Sequence, residues 1–230
     1  TGLLDLYGGA SAAYSLRALS RGWLAGDVVE VRRSSDSATA DFTASQVSGG
    51  ALATWVGAGN DGYVTTWYDQ SGNANNATQA TTTSQPKIVD AGTLVTGGLD
   101  FDGVDDQLDL TGSALDIFRN VGYGQVFSVA TSDETGSSTS SIFNSFTSSS
   151  SKVRYTLGDS NVTAGNFRIG GRRLDGDAFD VITASAAHGN TERLVTGCLN
   201  WVDAEAYIYQ DGVKVGTYLS FRTARNTSNT

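Results

Sequence analysis

Gly62-Tyr63-Val64-Thr65-Thr66-Trp67-Tyr68 alternates β-branched and aromatic residues, then runs straight into Asp69-Gln70-Ser71-Gly72-Asn73-Ala74-Asn75-Asn76. A period of two over seven residues is the pattern of a half-buried strand. Gly and Asn accept left-handed backbone, and Asn and Asp side chains bond nearby main chain, so the second stretch is a turn. This pairing of strand with polar turn constrains the fold most, because it recurs along the chain.

Asp27 to Arg33, Lys87 to Val89, Gln125 to Ala130, Lys152 to Leu157, Asn166 to Ile169, Phe179 to Thr183 and Glu192 to Trp201 read as further strands. Asp41-Phe42-Thr43 and Ala51-Leu52-Ala53-Thr54-Trp55-Val56 are weaker strand or turn segments. Leu99 to Phe101 and Gln107 to Leu110 read as short strands around the turn Asp102-Gly103-Val104-Asp105. Residues 131–151 read as loop, strand and loop, the strand being Ile142 to Phe146. Ala206 to Val215 reads as a hairpin about Asp211-Gly212. The 28 glycines and single proline suit many short strands. Ser11 followed by Tyr14, Leu16 and Leu19 predicts one short helix over residues 11–19. No repeat or linker interrupts the series. The expectation is one antiparallel sandwich over residues 1–230, with Trp67 and Phe101 in its core.

Charge and sulfur content remove several function classes. The formal net charge is −9, which repels phosphate backbones, so no nucleic-acid partner is expected. No apolar run approaches the ~18 residues of a membrane span. Cys198, the one cysteine, lies in the apolar run Leu194 to Leu199 and reads as a core residue. It and the one histidine, His188, cannot make a zinc cage. The sequence contains no Met, and residues 221–230 are polar with no strand pattern. Both features lead us to expect a portion of a longer chain, or a subunit completed by a neighbour.

Three segments carry a resemblance: Ala12-Ala13-Tyr14-Ser15-Leu16-Arg17, Val31-Arg32-Arg33-Ser34-Ser35-Asp36, and Trp67-Tyr68-Asp69-Gln70-Ser71-Gly72-Asn73. They resemble the N-terminal part of the catalytic domain of α-L-arabinofuranosidase B. With Gln85-Pro86 and Phe101-Asp102-Gly103-Val104-Asp105-Asp106, the set is also similar to LamG-type modules of phage structural proteins and bacterial surface proteins. The resemblance covers residues 10–110, and later only the hairpin at Tyr209 to Val213. It implies an all-β, antiparallel two-sheet jelly-roll sandwich of the concanavalin A type, with one short N-terminal helix.

The enzyme family places its nucleophile and acid in later motifs, a Glu in an apolar strand and an Asp in a Gly-rich turn, and neither has a match. Of the four Glu, Glu30 sits beside Arg32 in a strand, Glu134 in the Ser-rich loop and Glu192 before a strand. Glu205 follows Trp201-Val202-Asp203, which lacks the leading Glu of a paired-carboxylate strand. His188 reads as a passive surface-loop histidine, so no Ser–His–Asp site is expected. Asp102, Asp105 and Asp106 offer oxygens of the kind Ca²⁺ takes, or they shape the turn through backbone N–H groups. Tyr68, Asp69 and Asn73 are the candidate ligand contacts, with turn stitching as the other reading. Tyr68, Tyr123 and Trp55 are candidate sugar-stacking rings.

The expected function is a non-enzymatic structural or adhesive module of a surface assembly, most simply a phage virion appendage or capsid decoration. Its expected partners are copies of itself, other virion proteins or a cell-surface glycan. It needs no cofactor, and its place is the virion or extracellular surface. The alternatives are a carbohydrate-binding module of a secreted protein and an arabinofuranosidase-like hydrolase.

Overall fold

In the computed structural model the described residues are 1–110, 117–118, 121–132, 140–145, 155–160, 165–172 and 179–218. They form two compact units, Thr1–Ile117 and Phe118–Thr230. Every strand pairing among them is antiparallel. The protein is all-β, with three short α-helices among the described residues. The polar segments at 133–139 and 146–154, and the terminal run at 221–230, lie outside them.

The first unit is built on β1 (Asp27–Arg33), β2 (Thr39–Thr43) and β3 (Gly62–Trp67). The shorter β4 (Ala77–Thr78), β5 (Lys87–Asp90), β6 (Thr93–Leu94) and β7 (Asp109–Leu110) complete a seven-stranded sheet. Its order is β2-β1-β3-β4-β7, with β5 also on β3 and β6 on β5. Val29, Val31, Phe42, Val64, Ile88 and Val89 are buried on the core side. Each such side chain contributes roughly 1.5–3 kcal/mol when fully buried.

The helices cover that core. In α2 (Ala44–Ser48), the Thr43 hydroxyl accepts from the Gln46 amide, and the Gln46 side chain accepts from the Thr43 amide. In α3 (Ala51–Val56), Leu52 and Val56 stand four residues apart and are both buried. The segment expected as a weak strand is therefore a helix. Two helical partners on one face outweigh the β-propensity of Thr54, Trp55 and Val56. Gly57, at φ +85°, ends it in a conformation that favours glycine.

Two further expectations fail in this unit. The N-terminal helix is α1 (Leu3–Leu6), and residues 11–19 are not helical. Phe101 is 44% exposed rather than in the core, and only Asp100 of its predicted strand pairs, with Lys87. Its turn is held from within by aspartates and so has no need of the ring as an anchor. Trp67 is partly buried against the core, as expected.

The second unit contains two four-stranded sheets. One is β12-β11-β10-β9, formed by β9 (Ser141–Ser145), β10 (Tyr155–Asp159), β11 (Asn166–Gly171) and β12 (Asp180–Ala187). The other is β15-β14-β13-β8, formed by β8 (Tyr123–Ala130), β13 (Arg193–Asn200), β14 (Glu205–Gln210) and β15 (Val213–Tyr218). They meet where the Tyr155 hydroxyl donates to the Gly197 carbonyl at 2.6 Å. A Cβ on Gly197 would lie 2.6 Å from Ile169, so only glycine lets the sheets approach this closely. The expected hairpin forms β14 and β15, with Asp211 and Gly212 both at positive φ. Cys198 is buried, as expected, but alternation from Gly197 turns it away from the other sheet.

Candidate functional site

The Trp67 to Asn75 motif turns its polar groups inward. Asp69 is 1% exposed. Its Oδ1 accepts from the amides of Ala13 and Ser71, both at 2.8 Å. Its Oδ2 accepts from the Asn75 amide at 2.9 Å and the Ser71 hydroxyl at 2.7 Å. Gln70 accepts from the Leu19 amide and donates to the Ser15 and Arg17 carbonyls. Asn73 donates to the Ala10 and Ser11 carbonyls, and Asn75 to that of Ser11.

The main chain of residues 10–19 therefore spends its hydrogen bonds on side chains more than fifty residues away, which is why no helix forms there. Asp69 and Asn73, expected as candidate ligand contacts, make bonds that stitch the turn to residues 10–13. The four hydrogen bonds that Asp69 accepts all come from within the protein.

Tyr68 lies elsewhere. Its hydroxyl donates to Asp41 Oδ1 at 2.7 Å, and burial together with Asp41 pushes its pKa up. Asp41 pairs across the sheet with Glu30. Cross-strand partners have Cβ atoms roughly 4.5–5.5 Å apart on one face. Glu30 accepts from Thr65 at 2.5 Å and Thr66 at 3.5 Å. Asp27, at the start of β1, is pushed up by burial and by Asp41.

Alternation along β1 puts Arg32 on the same polar face as Glu30, opposite Tyr63 of β3. The Arg32 guanidinium lies 4.9 Å from the centre of the Tyr63 ring. Its Nε donates to Gln85 at 2.7 Å, and Gln85 in turn donates to the Gln79 carbonyl at 2.8 Å. Lys87 sits between Asp90 at 2.8 Å and Asp61 at 3.4 Å, and these acids raise its pKa. Arg32, Tyr63, Thr82, Gln85, Lys87, Asp100, Asp102 and Asp106 line an open groove of about 570 Å³ within the first unit. It offers donors, acceptors and one aromatic ring.

The acidic turn forms one end of the groove. Asp102 Oδ1 accepts from the amides of Val104 at 2.8 Å, Asp105 at 3.2 Å and Asp106 at 3.3 Å. These bonds, the one from Val104 foremost, hold its pKa down. The Asp102 amide donates to Asp106 Oδ2, and Ser84 donates to Asp105. Burial, with Asp102, Asp105 and Asp100 nearby, pushes Asp106 up. One oxygen from each of Asp102, Asp105 and Asp106 lies within 4.8 Å of the others. That is half or less of the oxygen shell Ca²⁺ takes, typically about six to eight. The hydrogen bonds shape the turn from within.

Arg32, Tyr63, Gln85 and Lys87 were not singled out from the sequence. Period-two alternation places Arg32 and Tyr63 each on a strand face, but only the pairing register brings them together.

In the second unit, His188 is fully buried, not on a surface loop. It follows β12 directly, packs its ring 5.0 Å from that of Phe167, and accepts from the Asn190 amide through Nδ1. Its Nε2 lies 3.5 Å from Asp159 Oδ1. Ser132 donates to the other Asp159 oxygen at 2.5 Å. Among the described residues the carboxylate stands between serine and imidazole, which is not the order of a nucleophilic triad. Glu205 accepts from the Tyr207 hydroxyl, and Glu192 is exposed. Glu134 lies outside the described residues.

A family model described as "Alpha-L-arabinofuranosidase B, catalytic" matches residues 5–170. No curated protein sequence matches significantly. Among solved structures, residues 221–444 of an S-layer domain-containing protein from Clostridium thermocellum are 22% identical. That alignment covers 69% of this chain and 67% of the other, at a TM-score of 0.37, too loose a superposition to carry an inference.

Proposed function

The chain belongs to the family of the α-L-arabinofuranosidase B catalytic domain, and from that premise we propose a module that binds neutral carbohydrate without cleaving it. The groove of the first unit carries this reading. Its Tyr63 ring suits the C–H face of a sugar, and Arg32, Gln85, Lys87 and Asp100 suit its hydroxyls. The donors and acceptors nearly balance in charge, which favours an uncharged ligand. The module works within a surface assembly, with copies of itself or other surface proteins as neighbours. In its finer form the reading is a single concanavalin A-like sandwich over residues 1–230 in a phage appendage or capsid decoration. The N-terminal motif set is what supports that form.

One observation favours a second reading, hydrolysis. Asp106 is pushed up and Asp102 held down, and such divergence is what an acid and its partner carboxylate require. Against it, one Asp102 oxygen is committed to three backbone amides. A glycan array probed with the wild type and Arg32→Ala tests the first reading; it expects binding that the variant weakens. Release of the chromophore from a chromogenic α-L-arabinofuranoside, abolished in Asp106→Asn, would establish the second and end the first.

A further inference from the structure

The outward face of the β15-β14-β13-β8 sheet contains a second aromatic surface, wholly within the second unit. Gly197 faces the other sheet, so its neighbours Thr196 and Cys198 point outward. The register places Phe127 of β8 and Tyr209 of β14 on either side of Thr196. Gln125 and Tyr207 flank Cys198 in the same way, and Tyr123 and Glu205 flank Asn200. Thr196 and Cys198 are only 7% and 3% exposed, while Tyr123 and Phe127 are 51% and 66% exposed. The small residues of β13 thus lie low between the rings of β8 and β14, which cover them and present their own faces outward. Burial, with the Cys198 thiol and Tyr209 and Tyr207 close by, pushes the Tyr123 phenol up, as expected where these groups crowd one trough. Lys214 closes the β15 side, 4.0 Å from the Tyr207 ring centre and 5.5 Å from that of Tyr209.

We propose that this trough is a second carbohydrate-binding site, taking an extended stretch of neutral polysaccharide along β13. The proposal rests on the reading of the chain as a carbohydrate binder but uses none of the groove residues. Three of its four rings are tyrosines, and Gln125, Asn200 and Thr217 are interleaved with them, so polar groups recur at the spacing of the rings. A protein core covering this face would leave those groups without water. A sugar chain stacks its C–H faces on the rings and keeps its hydroxyls hydrogen-bonded. Charge complementarity selects a neutral ligand: Glu205 already accepts from Tyr207, and Lys214 already lies over the rings. Among the described residues at these positions one charge of each sign remains, which favours neither an anion nor a cation.

Native affinity electrophoresis of the purified protein in gels containing soluble neutral arabinan or xylan tests this. The wild type is expected to be retarded by at least one of them. Phe127→Ala and Tyr209→Ala should each bind about tenfold more weakly, while Phe127→Tyr restores binding. Arg32→Ala, in the other unit, should retain the retardation due to the trough. Circular dichroism checks that the variants stay folded. If Phe127→Ala and Tyr209→Ala keep wild-type retardation while Arg32→Ala loses it, the trough proposal falls and the groove reading stands. Absence of retardation of the wild type in both gels overturns the trough. So does a wild-type dimer that Phe127→Ala dissociates, which would make the face an interface between copies.

Discussion

Asp69 and Asp102 each accept hydrogen bonds from three backbone amides, yet they do opposite work. Asp69 is buried and reaches back to Ala13, tying two distant segments together. Asp102 is exposed, and its three donors lie within the next four residues. The same side-chain chemistry is a long-range clamp in one turn and a local brace in the other. Burial and sequence separation decide which, because an amide stranded in the interior loses both protein and water partners, whereas an exposed one regains water.

The contrast breaks if the two positions tolerate substitution alike. Asp69→Ala strands three amides and should destabilise the first unit by about 3–5 kcal/mol, seen as a lower denaturation midpoint. Gln70→Ala removes three bonds to the same segment from a neutral group and should cost about 1–3 kcal/mol by the same measurement. Asp102→Asn should cost less than either. Backbone amides hold the Asp102 carboxyl below its ordinary 3.8, so the stability it supplies is complete above that value. It is lost as the pH falls through the lowered folded value, so the wild-type advantage over Asp102→Asn should vanish in acid. Asp106 has the opposite sign and the smallest effect. Burial raises its pKa, so its contribution is greatest below 3.8 and is lost as the pH rises through the raised value. Asp106→Asn should therefore be slightly more stable than the wild type at neutral pH.

The strands around residues 27–33 and 62–67 and the Asp211-Gly212 hairpin were legible in the sequence because their determinants are local: alternation and a turn that demands positive φ. The segment at 10–19 was not. Its helical pattern is overridden by Asp69, Gln70, Asn73 and Asn75, and no window of a few residues contains that information. His188 was misplaced for the same reason, since its burial depends on Asp159 and Phe167 from other strands. Of the candidate site, the acidic turn could be read directly. Arg32, Tyr63 and Gln85 could not, because their convergence is a property of strand register and of a loop well beyond the end of β3.

Binding without cleavage at the groove is tested most directly by holding soluble neutral arabinan with the protein and measuring the bound fraction and new reducing ends in one sample. The account predicts saturable binding that Arg32→Ala weakens, with reducing ends no higher than in arabinan alone. Reducing ends that accumulate with the wild type and not with Asp106→Asn would contradict it.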